Sequence, residues 1–272
     1  MSTIVEAIKE LREKTGAGMM ECRRAIEASG GNLDKAAALL KEQGLLQAQK
    51  RQDRETNEGR VFLKADQKKA VLLRLACETD FVARNAGFIQ LGEECLALAF
   101  EGSAGEAELA PRIQEAVART KENIVLRGLK TLSVTQEERL FTYVHGDGRI
   151  GVALGLSASD PSVWSRPEAQ ALTADLCLHV TAFGPLYLSR DSVDPVHLQQ
   201  KEAELLADSK ALGKPEGMLP GIVRGRMNKH LSKICLLEQG FIRDEKTTVG
   251  EVLKRCGLGI QVKGFIYECV GK

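Results

Sequence analysis

The chain has 272 residues, 43% of them hydrophobic and 28% charged, which is enough apolar mass for a core and for one to three domains. Its 38 basic and 37 acidic side chains leave a net charge of +1, so there is no electrostatic ground for nonspecific adhesion to nucleic acid or an anionic membrane. Aromatics make up only 4%, which argues against a base-stacking surface.

No stretch approaches the roughly 18–20 uninterrupted apolar residues of a membrane span. The amino terminus, MSTIVEAIKELREKTG, alternates acids and bases and lacks the apolar core of a signal peptide. The seven cysteines are scattered, odd in number and form no CxxC pair. They read as reduced, mostly core thiols of a cytoplasmic protein.

Residues 1–46 predict three short helices. Ile4, Val5, Ile8 and Leu11 recur at helical spacing. Gly16 ends that helix, and Gly18 begins the next with Glu21 in its first turn. Cys22, Ala25 and Ile26 form the second apolar face. Asn32 caps a third helix carrying Leu33, Ala36, Ala37 and Leu40, and Gly44 is expected to close it. Residues 47–60, QAQKRQDRETNEGR, read as a polar linker.

From residue 61 the pattern turns to strands. Val61–Ala65 and Ala70–Cys77 flank the polar Asp66–Lys69, predicting a hairpin. A helix follows through Phe88, Leu91, Cys95 and Leu98. The plan recurs in Leu140–Val144, the turn His145–Arg149, Ile150–Leu156 and a helix through Leu172, Leu176, Val180 and Phe183. Both helices end alike, in ECLALAF (94–100) and LCLHVTAF (176–183). An internal duplication is therefore expected. The fold class is α+β: a UBA-like three-helix domain, a linker, and a core of two similar hairpin-plus-helix subdomains, 61–139 and 140–272. The second carries an antiparallel helical arm over about 194–233, with its break at Gly213-Lys214-Pro215. A short helix and a strand close the chain.

Catalytic constellations are mostly absent from the sequence. There is no GxxxxGK[ST] loop and no GxGxxG after a strand. His145, His179, His197 and His230 are far apart, and Cys177 and His179 fall on different faces of a helix. Neither a metal, a cofactor nor a catalytic residue is expected. Glu78 and Asp80 could serve as an acid/base pair, but Thr79 or Asp80 capping a helix is the simpler account.

Two features stand out. Phe81, a large ring, follows Asp80 directly where the chain leaves a strand. It is either core or a ring displayed to a partner. Met19 and Met20 stand together in the first turn of a small helix, where at least one must be partly exposed, and exposed Met suits adaptable binding surfaces.

At these residues the sequence resembles the elongation factor Ts family. The segment LREKTGAGMMECRRAIEASGGNLDKAAALLKEQG (11–44) is similar to that family's amino-terminal domain, and ETDFVARNAGF (78–88) to its most diagnostic motif. ENIVLRG (122–128), YVHGDGRIGV (143–152), GKP (213–215), GRM (225–227) and the closing TVGEVL…VKGFIYECV (248–270) follow in the family's order. Asn85 replaces an acid common in the family, and no carboxy-terminal module is expected beyond the last strand.

The resemblance implies a guanine nucleotide exchange factor for the GTPase elongation factor Tu. It would act without covalent chemistry, cofactor, direct nucleic-acid contact or membrane. It also implies that Thr79, Asp80, Phe81 and Val82 reach toward the partner's Mg²⁺ and phosphate region. Met19 and Met20 would dock on its nucleotide domain, and the surface around His145 and Arg149 would hold its other domains. Homodimer formation stays open, as does an adaptor that only tethers cargo or a thiol or carboxylate enzyme.

Overall fold

A computed structural model describes residues 4–213 and 215–271. Lys214, in the expected break of the arm, lies outside the described residues. Helices α1 (Ile4–Thr15), α2 (Met19–Ala28) and α3 (Leu33–Gln49) come first. They close around Leu11, Cys22, Ala25, Ile26 and Ala36. Gly18 gives its N–H to the Glu21 carboxylate at 2.8 Å, and Asn32 Oδ1 caps Lys35 N–H at 3.0 Å, so both expected helix starts are present.

Gly44 does not close α3, which runs on to Gln49. The glycine serves a close helix crossing instead: a Cβ there would stand 2.9 Å from the Ala118 Cβ on α6 (Glu106–Thr120). Lys41 and Glu115 form an ion pair at 2.6 Å across the same crossing. Irregular chain is thus confined to 50–57, before β1.

The first sheet is β1 (Glu58–Ala65), β2 (Lys69–Cys77) and β3 (Ile124–Ser133), all antiparallel. Between β2 and β3 lie α4 (Asp80–Ala83), α5 (Ala86–Glu101) and α6. The second sheet is β4 (Glu138–His145), β5 (Ile150–Ala158) and β8 (Ile260–Cys269). Between β5 and β8 come α7 (Pro167–Phe183), the arm helices α8 (Pro195–Ala211) and α9 (Leu219–Ile234), the small hairpin β6 (Gly240–Phe241) and β7 (Asp244–Thr248), and α10 (Val249–Arg255). The α8–α9 pair is antiparallel: His197 faces His230, and Arg226 reaches Asp208 at 3.1 Å.

The repeat goes further than hairpin plus helix, because a distant third strand completes each sheet. In both, register slips at a basic residue before glycine. Arg74 pairs Gly128 while Leu75 pairs Leu126, and Gly155 pairs Gly264 while Leu156 pairs Val262. The residues left over are Arg127 and Lys263, in L-R-G-L and V-K-G-F. An extra residue of this kind bends a strand and increases its twist.

The two sheets pack face to face with helices outside. On β5, Val152, Leu154 and Leu156 enter the core beneath α7, while Gly151, Ala153 and Gly155 face the first sheet. A Cβ at Gly151 would lie 2.6 Å from Val61 Cγ1 and 2.7 Å from Leu72 Cδ2, so only glycine permits this approach. Among these apolar contacts sits Glu268, 5% exposed, with its carboxylate 2.9 Å from both Arg74 Nε and Lys130 Nζ. Burial of a charge requires such pairing.

Candidate partner-docking surface

Strand β2 ends at Cys77, and the chain turns sharply into the one-turn helix α4. Thr79 is its N-cap: the backbone is extended there, and the Val82 N–H reaches the Thr79 hydroxyl oxygen at 3.4 Å. Asp80 occupies the first helical turn, where an acid complements the helix dipole, and pairs with Arg84 at 3.3 Å. Capping therefore falls to Thr79, of the two residues considered. Asn85 caps the next helix, accepting from Gly87 N–H at 2.8 Å, so an amide fills a place where an acid would serve equally.

Phe81 is 83% exposed, more than any other large hydrophobic side chain among the described residues. Its neighbour Val82 is half-buried against the first subdomain's core, and Ala83 is buried. The four-residue turn thus anchors one side and holds the ring in solvent. This excludes the core account of Phe81 in the free chain. Met19 and Met20, at 63% and 59%, are both exposed at the start of α2.

The turn at residues 121–123 lies against both features. Lys121 reaches Glu21, next to Met20, at 2.9 Å. That ammonium and the Gly18 amide hold the Glu21 carboxyl below its usual range. Glu122 accepts from the Thr79 backbone N–H at 3.1 Å and from its hydroxyl at 2.7 Å. Asn123, 2% exposed, gives its N–H to Glu78 at 2.6 Å and its side-chain amide to the Gln52 and Arg54 carbonyls. Glu78 is thereby a frame residue for the turn, and its outer contact is Arg54 at 3.4 Å.

His145 and Arg149 bracket the turn between β4 and β5, where Gly146, Asp147 and Gly148 all have positive φ. His145 Nδ1 lies 3.0 Å from the Tyr143 hydroxyl. Arg149 pairs with Glu58 and so stitches this turn to the first sheet instead of presenting a bare cation. Beside His145 is a shallow apolar depression lined by Ile150, Leu178, Thr181, Ala182 and Ile242. Sequence reading missed this depression and the Glu122 contact. Glu122 stood in plain view in the quoted ENIVLRG segment, but nothing local connects it to Thr79.

Among the described residues no group of three or more His, Cys, Asp or Glu is placed to hold a metal ion. Burial pushes the Cys77 and Cys177 thiols up to about 12, the reverse of a nucleophile's environment. No described helix is long and apolar enough to cross a membrane.

Comparison with known proteins matches residues 78–272 to the family described as Elongation factor TS. A protein of Treponema denticola named Elongation factor Ts is 40% identical over 252 residues, covering 92% of this chain and 90% of its own. One of Borrelia hermsii with the same name is 37% identical over 278 residues, covering all of both chains. Another, of Borreliella burgdorferi, is 36% identical over 264 residues and covers 96% of this chain and 95% of its own. With a family match across more than half its length and relatives of this identity end to end, the chain belongs to the elongation factor Ts family of translation elongation factors.

Proposed function

We propose that this protein is a guanine nucleotide exchange factor that binds elongation factor Tu in its GDP form, in the cytoplasm, and speeds GDP release without covalent chemistry. The observation that carries this reading is Phe81: a ring 83% exposed on a turn whose backbone is otherwise capped and anchored. An apolar ring held in water gains on entering a partner, by roughly 1.5–3 kcal/mol for full burial of a Phe.

Mg²⁺ demands near-ideal octahedral geometry. A ring lodged beside the partner's Mg²⁺ and phosphates would displace ligands by an ångström or so and weaken the hold on GDP. Thr79 caps the turn, Val82 anchors it to the core, and Asp80 places a negative charge beside the wedge. Met19 and Met20 supply adaptable contact on the nucleotide domain, and the surface beside His145 receives the other domains. Because binding couplings are reciprocal, GDP must loosen this protein's grip by the same factor.

The test is stopped-flow release of fluorescent GDP from elongation factor Tu with increasing amounts of this chain. Acceleration that saturates with concentration is expected. Complex formation with an unchanged GDP off-rate would make the protein a tether.

A further inference from the structure

A one-turn helix cannot hold itself. Nucleating a helix fixes several dihedrals for very few hydrogen bonds, and α4 spans only Asp80–Ala83. At its end, Ala83 N–H bonds to the Thr79 carbonyl at 3.2 Å and Arg84 N–H to that of Asp80 at 3.1 Å. With its ring almost wholly in solvent, Phe81 has little packing of its own to set its direction. The direction must come from the backbone, which Val82 and Ala83 anchor at its far end and Thr79 fixes at its start.

Thr79 is held by one side chain from a remote part of the sequence. Both carboxylate oxygens of Glu122 are used: Oε2 takes the Thr79 N–H at 3.1 Å and Oε1 takes the hydroxyl proton at 2.7 Å. Once that proton points at Glu122, the hydroxyl oxygen has its lone pairs free for the Val82 N–H. The three groups form a polarised chain, Val82 N–H to Thr79 Oγ–H to the Glu122 carboxylate, in which each bond strengthens the next.

Glu122 is itself held. Its neighbour Asn123 is buried and tied to Glu78 and to the carbonyls of Gln52 and Arg54. Its other neighbour, Lys121, sits at φ 64°, in the left-handed region, and pairs with Glu21 at the root of the exposed methionines. A non-glycine residue stays in that region only where its surroundings fix it.

We infer that Glu122 is the positioning residue of the exchange wedge: its carboxylate aims Phe81 by clamping the N–H and O–H of Thr79. The inference rests on the exchange reading for its kinetic consequence, but not for its structural one, and the two are separable by experiment.

The variants are Glu122→Ala, Glu122→Gln, Thr79→Val and Thr79→Ser, with Phe81→Ala as the reference. Hydrogen exchange of the Val82 and Ala83 amides in the free chain reads the clamp. Stimulated GDP release at saturating chain, against the concentration at half-saturation, reads its use.

Glu122→Ala and Thr79→Val are expected to speed exchange at Val82 and Ala83 at least tenfold while the amides of β2 stay protected. Both should lower the maximal release rate about tenfold with less than a threefold change at half-saturation. Thr79→Ser keeps the hydroxyl and should leave the Val82 and Ala83 amides as protected as in the parent. Glu122→Gln, with one acceptor oxygen left, should fall between. Combining Glu122→Ala with Thr79→Val should cost less than the sum of the two alone, because both remove the Thr79 hydroxyl bond to Glu122.

Unchanged exchange at Val82 and Ala83 in folded Glu122→Ala would overturn the inference. So would normal release in that variant when Phe81→Ala is slow. If Phe81→Ala itself releases GDP normally, the wedge reading fails, and the amide data still decide whether Glu122 holds the turn.

Discussion

Truncating Phe81 to Ala should separate exchange from stability more sharply than any other single change. The ring is 83% exposed in the free chain, so nearly all of its burial is available to a partner. Full burial of a Phe is worth roughly 1.5–3 kcal/mol, so the exposed part corresponds to about 1.2–2.5 kcal/mol. If about 1.4 kcal/mol of this opposes GDP, stimulated release slows about tenfold. The free chain should hardly notice: truncation of a buried Phe costs about 3–5 kcal/mol, whereas surface changes usually stay within about 0.5 kcal/mol. The assay pairs fluorescent GDP release with thermal unfolding of the same preparation. A large loss of stability with normal release per folded molecule would return Phe81 to a structural role and refute the wedge.

Replacing Met19 and Met20 together by Ala, both exposed in the free chain, should leave stability almost unchanged yet weaken the complex with elongation factor Tu tenfold or more, read by titration calorimetry, since interface hot spots cost about 2 kcal/mol or more on truncation. Glu268→Ala should destabilise by about 3–5 kcal/mol in urea unfolding, because it leaves the largely buried Arg74 without the carboxylate at 2.9 Å. Burial holds the pKa of fully enclosed His179 below its ordinary value. The unfolded chain therefore takes up the proton first, so the stability due to neutral His179 is complete above about pH 6.5 and falls as pH drops toward the lower folded value. His179→Leu should flatten that acid limb in denaturation midpoints between pH 7.5 and 5.5, and an identical limb in both proteins would contradict it. Alkylation of the native protein should reach Cys256 and Cys269 before the five buried cysteines, with mass spectrometry giving the order.

Local chemistry sufficed for the elements that are periodic and capped by their own neighbours. The helix at 19–28, the start of the helix at 33, both hairpins and the arm were legible because apolar spacing, Asn32, Gly18 and the turn at 146–149 act within a few residues. The alternation of large and small residues on β5 was equally in view, but its meaning depended on a second sheet lying against Gly151. Gly44 shows the same limit in reverse. Alone it reads as a stop, and only the approach of α6 explains why a helix passes through it. The third strand of each sheet, the pairing of Glu268 with Arg74 and Lys130, and the grip of Glu122 on Thr79 all join segments far apart in sequence. Nothing within a helical turn or a strand repeat encodes such contacts. The sequence thus determined that an aromatic follows an acid where a strand ends, and tertiary structure decided that this ring stands in water, because Val82 and Ala83 pack inward and Thr79 is held from across the fold.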